Sequence, residues 1–116
     1  FIRTSDMTTI TICKTADGKY TGFNCFGHAG YAKKNRPDIL CSAISTLVIN
    51  TINSLEELAG ERLKTVTNEE TGFIKCDFES DLQEKSILLM DAMVFGLKNI
   101  SETYGEQYLQ VKFEEV

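Results

Sequence analysis

CFGHAGYAKKNRPDILCSAIS, residues 25–45, changes its pattern twice and so places the first two layers of the fold. Up to Gly27 it continues an alternating run that begins at Tyr20, which predicts a strand. Residues 29–37, AGYAKKNRP, have no periodicity and read as a partly basic loop. Pro37 disfavours helix at Arg36 and suits the entry to a new element. From Asp38 to Ala59 the apolar residues recur at steps of three and four: Ile44, Leu47, Val48, Thr51, Leu55 and Leu58. That stripe predicts a helix with one buried face, stopped by Gly60. The stretch also holds the only histidine, His28, and the only proline of the chain.

Upstream, MTTITICKT alternates, with Ile10 and Ile12 on one face and Thr9, Thr11 and Cys13 on the other. Asp17-Gly18 marks a turn, so residues 7–27 read as a hairpin. Downstream, RLKTVTNEETGFIKCDFES (62–80) reads as a second hairpin, its return strand directing Ile74, Cys76 and Phe78 inward. A second helix over about 82–104 carries Leu89, Ala92, Met93, Leu97, Ile100 and Tyr104 on one side, with Gly105 as its stop. The closing strand turns Leu109, Val111 and Phe113 inward. The predicted order is ββαββαβ, an α+β two-layer sandwich: a mostly antiparallel sheet with two helices packed on one face.

A chain of 116 residues can bury a true core without metal or disulfide. Residues 1–6 read as a cloning remnant ahead of a natural start at Met7, leaving residues 7–116 as a single domain. The net charge of −5 argues against direct nucleic-acid binding, which needs a positive surface. The richest apolar stretch, 39–52, is interrupted by Ser42, Ser45, Thr46, Asn50 and Thr51, so no membrane span is expected. With no secretory pattern, the four cysteines are expected as reduced thiols in a cytoplasmic setting. Their spacing (Cys13, Cys25, Cys41, Cys76) and one histidine give no zinc-site pattern, and no cofactor is called for.

Buried packing is the ordinary fate of a cysteine, and Cys76 and Cys25 fit it because they alternate with apolar neighbours. Cys41 is placed differently. With Asp38 as N-cap it falls in the first helical turn, where backbone N–H groups lack intrahelical partners and the helix end favours negative charge. Those N–H groups can also hold an oxyanion. Ser45 stacks one turn further on. His28, beside Gly27 at the strand end, is either a surface or capping residue or the base of a Cys–His pair. Asp38 is either the helix cap or a third catalytic member orienting His28.

GHAGYAKKNRPDILCSAIS resembles the signature of the ribosomal-processing cysteine proteases, in which glycine-histidine-alanine is followed by a loop, then aspartate-x-x-cysteine and a serine. The length and the ββαββαβ order are also similar to that family. The resemblance implies a bacterial thiol protease, needing no cofactor, that removes a short N-terminal extension from large-subunit ribosomal protein twenty-seven in ribosome biogenesis. Cleavage sites in that family carry aromatic residues followed by a small one, and its members are homodimers. The family roles fall on His28 as general base and Cys41 as nucleophile, with Asp38 and Ser45 as supporting polar positions. Gly27 corresponds to the glycine that lets the histidine segment move. One departure is visible: twelve residues separate His28 from Cys41, one more than the commoner pattern, with Pro37 inserted before Asp38.

On this reading the loop carrying Ala29, Gly30, Tyr31, Lys33, Lys34 and Arg36 folds over an extended peptide. Two rival readings use the same features. One is a non-catalytic dimer that binds a ribosomal protein or assembly intermediate through its acidic charge and loop. The other is a thiol hydrolase or redox sensor acting on something small.

Overall fold

The computed structural model describes residues 7–27, 39–68 and 70–116. Its elements run β1 (Thr8–Lys14), β2 (Tyr20–Phe26), α1 (Ile39–Glu57), β3 (Leu63–Asn68), β4 (Phe73–Phe78), α2 (Glu84–Tyr104) and β5 (Leu109–Glu115). This is the ββαββαβ order expected from the pattern. The five strands form one sheet in the spatial order β3-β4-β2-β1-β5. Only the β1–β5 pair is parallel; β1–β2, β2–β4 and β3–β4 are antiparallel.

The alternation of β1 decides which face becomes the core. Ile10 and Ile12 are fully buried and Thr8 nearly so, while Thr9, Thr11 and Cys13 on the other face are half-buried. Register carries that face across the sheet: Cys25 lies opposite Ile10, Phe23 opposite Ile12, and Cys76 opposite Phe23. Tyr20 and Phe23 are three apart yet both buried, because the register shifts between Cys13 and Lys14. An extra residue at such a bulge lets the strand return to the same face. Leu40, Ile44, Val48 and Leu55 of α1 and Met90, Met93 and Leu97 of α2 complete the core. Each large apolar side chain so buried contributes roughly 1.5–3 kcal/mol.

The helix ends follow from local chemistry. Gly60 takes φ +70°, the left-handed conformation that only glycine adopts cheaply, and the Glu61 N–H then bonds the Leu55 carbonyl at 2.9 Å. α2 begins without a capping side chain. Its preceding residue, Gln83, is used to join the two helices: its amide donates to the Ala59 carbonyl at 2.9 Å, and its own N–H donates to Glu61 Oε2 at 3.0 Å. Tyr20 fastens α2 to the sheet by donating its hydroxyl to Asp91 at 2.5 Å.

Three details differ from the periodicity. Leu58 is 76% exposed, because α1 ends at Glu57 and the turn into Gly60 buries Ala59 instead. The buried stripe of α2 is Ser86, Met90, Met93, Val94, Leu97 and Ser101; Ala92 and Tyr104 face outward, and Leu89 and Ile100 lie at its margins. Phe113 pairs with Ile12 on the core face but lies on the outer strand β5, and 49% of it remains exposed. Lys98 covers its ring with an ammonium 4.9 Å from the centroid. Finally, α1 is long and apolar enough by length and composition to cross a membrane. Its place in the fold is that of a core helix, laying Leu40, Ile44, Val48, Ile52 and Leu55 into the core.

Candidate active site

Cys41 is the third residue of α1, partly exposed and packed against the edge of the core. Its neighbour one turn along, Ser45, is also partly exposed. Both line one end of a cleft of about 440 Å³ between α1 and the inner face of the β3–β4 hairpin. Cys25, from β2, lines that same end. The remaining wall of α1 is Ile44, Val48, Ile49, Ile52, Asn53 and Glu56. Opposite them stand Thr65, Thr67 and Asn68 of β3 with Phe73 and Ile74 of β4. The cleft exists because α1 covers β2 and β4 but leaves β3 bare: every residue of β3 beyond Leu63 is exposed. No disulfide joins any of the four cysteines.

Gly27, at the end of β2, has φ +91° and also lines the cleft. A Cβ there would come within 2.4 Å of the Met7 carbonyl oxygen, so this position is closed to any larger residue as well as strained for one. The Thr8 hydroxyl donates to the Gly27 carbonyl at 3.4 Å, fastening the strand end from which residue 28 departs. His28, Asp38 and the loop residues Ala29, Gly30, Tyr31, Lys33, Lys34 and Arg36 lie outside the described residues. The structure therefore brings together Gly27, Cys41 and Ser45 of the expected set.

The thiols of the other three cysteines are governed by burial. Burial raises the Cys76 thiol to about 12, helped by the negative charges of Asp77 and Glu56. Burial, with Cys41 as a neighbour, raises Cys25 to about 11. Cys13, half-buried on the opposite face, is raised by burial and by Glu114 and Asp77. All three shifts disfavour thiolate, the form that reacts.

The family model for cysteine protease Prp matches residues 7–109. The chain belongs to the cysteine protease Prp family. No curated protein matches it significantly by sequence. Among solved structures, a Prp ribosomal processing protease from S. aureus with a covalently linked product peptide superposes with TM-score 0.85 at 22% identity, covering 93% of this chain and 100% of that one. The S. aureus Prp structure with a substrate peptide gives 0.81 at 21%, with the same coverage. SMU.848 from Streptococcus mutans gives 0.81 at 29% identity, covering 95% and 96%. These likenesses extend over the whole sandwich, and membership of the Prp family makes this chain a cysteine protease.

Sequence reasoning singled out residues that line the Cys41 end of this cleft but not its far wall. The signal was present: Leu63, Thr65 and Thr67 share the inward side of β3, and two of the three are polar. An inward face that is polar belongs to a strand the helices leave uncovered.

Proposed function

We propose that this protease removes a short N-terminal extension from a bacterial large-subunit ribosomal protein, protein twenty-seven in the family it belongs to. The observation that carries the reading is the position of Cys41, in the first turn of α1 at the mouth of a peptide-sized cleft. In the proposed reaction His28 takes the Cys41 proton and the sulfur attacks the scissile carbonyl. N–H groups at the start of α1 hold the oxyanion. The carbon–sulfur bond forms as the carbonyl π electrons move onto that oxygen. Collapse of the oxyanion then breaks the carbon–nitrogen bond while the imidazolium gives its proton to the departing amine. His28 next deprotonates a water that hydrolyses the thioester, releasing a carboxylic acid and restoring the thiol. Asp38 and Ser45 support the pair, Gly27 gives the histidine segment its entry, and the 29–36 residues close over the peptide.

The working unit in this reading is a homodimer in a bacterial cytoplasm. The exposed apolar row on α2, Leu88 (68% exposed) and Phe95 (69%) with Ala92 between them, supports the dimer. Mass spectrometry of a peptide spanning a ribosomal-protein extension tests the function. Wild type is expected to yield two products and Cys41→Ala none. Cleavage by Cys41→Ala at near wild-type rate would remove Cys41 from the mechanism. His28→Ala is expected to lower the rate by orders of magnitude, since base and nucleophile act as a unit.

A further inference from the structure

Beyond its reactive end, the cleft has a chemistry of its own. Its floor is apolar from Ile44 through Val48, Ile49 and Ile52 to Ile74. Glu56 is the only charged side chain that lines it among the described residues, and it stands at the end away from Cys41. Fifteen helical steps of α1 separate the two, roughly 22 Å at the helical rise. An extended peptide covers that distance in about six or seven residues.

We propose that Glu56 selects a basic side chain in the substrate, six or seven residues from the bond that Cys41 attacks. The proposal rests on the proteolytic reading of Cys41. Glu56 is exposed at the rim of the cleft, and two observations tie its charge to that cleft. It lines the cleft wall, and its charge is felt by Cys76, whose strand partner Thr65 lines the opposite wall. No cation pairs with it among the described residues, where Lys19 pairs with Asp17 and Asp81, and Lys75 with Asp77. A lone carboxylate above an apolar wall, in a chain of net charge −5, concentrates negative potential where the peptide would leave the cleft. The intervening isoleucines and Val48 hold the peptide by apolar contact, so the charge contact adds register and choice of sequence. The chemistry fitted is an extended segment with apolar residues next to the scissile bond and a lysine or arginine at the stated distance.

The test uses two peptide series that share one cleaved sequence. One series carries Lys or Glu six and seven residues to the N-terminal side of the scissile bond, the other to the C-terminal side. Wild type should prefer the Lys peptide in one series by about 1.5-fold to fivefold, the range of an exposed charge pair, through KM with kcat little changed. Glu56→Gln should erase the preference, Glu56→Lys should reverse it, and Glu56→Asp should keep it. The preference should also shrink as salt rises. Anisotropy of the uncleaved labelled peptides on Cys41→Ala, with and without Glu56→Lys, should show the same reversal in binding. A Lys-to-Glu ratio equal in wild type and Glu56→Lys, in both series and in binding, would overturn the proposal while leaving Cys41-dependent cleavage intact. Cleavage that survives Cys41→Ala would instead overturn the reading of the site on which it stands.

Discussion

Cys25 and Cys41 line the same end of one cleft, yet burial separates their chemistry. Cys25 is 5% exposed and its thiol is raised to about 11; Cys76 is fully buried and raised to about 12. A folded-state value above the ordinary one means that the folded chain holds the proton more tightly. The stability this supplies is fully present below about pH 9, the ordinary thiol range, and is lost as pH rises through 11 to 12. Urea unfolding of wild type should therefore lose stability steeply above pH 9, and Cys76→Val should flatten that slope whatever its effect at neutral pH. An unchanged slope would remove Cys76 as its source. Native-state alkylation at pH 8 with iodoacetamide, read by peptide mapping, should label Cys41 well ahead of Cys25 and Cys76, which react only on unfolding. Tyr20 offers a third contrast. Burial, then the bond to Asp91, raises its hydroxyl, so Tyr20→Phe should cost about 1–2 kcal/mol in urea midpoint experiments at neutral pH.

Elements were legible wherever one residue-level rule acted alone. Strict alternation in β1 fixed its buried face, and glycines at 60 and 105 marked both helix ends. The rule weakened where two elements compete for cover. Phe113 follows the alternation faithfully, but β5 is an outer strand where Lys98 of α2 meets its ring, and no local pattern reports which side chain of a distant helix arrives there. The outward turn of Ala92 and Tyr104 has the same origin: α2 chooses its face by docking on α1 and β5, so Ser86 and Ser101 enter the buried stripe, Ser101 by donating to the Leu109 carbonyl at 2.7 Å. The α1–α2 junction was invisible for a related reason, since Gln83 and Ala59 are 24 residues apart. Gln83→Ala should lower stability by about 1 kcal/mol in chemical denaturation, the usual worth of such a bond, with secondary structure by circular dichroism unchanged.

At the scale of the whole molecule, the candidate site divides into a part written in a short motif and a part made by architecture. Gly27, Cys41 and Ser45 come from one stretch of sequence, so spacing alone could group them. The wall of Thr65, Thr67, Asn68 and Phe73 arrives from a hairpin that reaches the cleft only because β3 sits at the end of the sheet, beyond the cover of α1. The same reasoning applies to the outside of α2. Leu88, Ala92 and Phe95 recur at steps of four and three, the spacing of a helical stripe, but on the side facing away from the core. Leaving two large apolar side chains about two-thirds exposed on one stripe costs solubility unless a second surface covers them. A homodimer meeting through α2 would place the two rows against each other by a two-fold axis, each copy presenting the same patch. If wild type sediments as the proposed dimer, Phe95→Glu should sediment as a monomer at micromolar concentration, with the far-ultraviolet circular dichroism of the sandwich retained. A dimer that persists in Phe95→Glu and in Leu88→Glu would place the contact on another face.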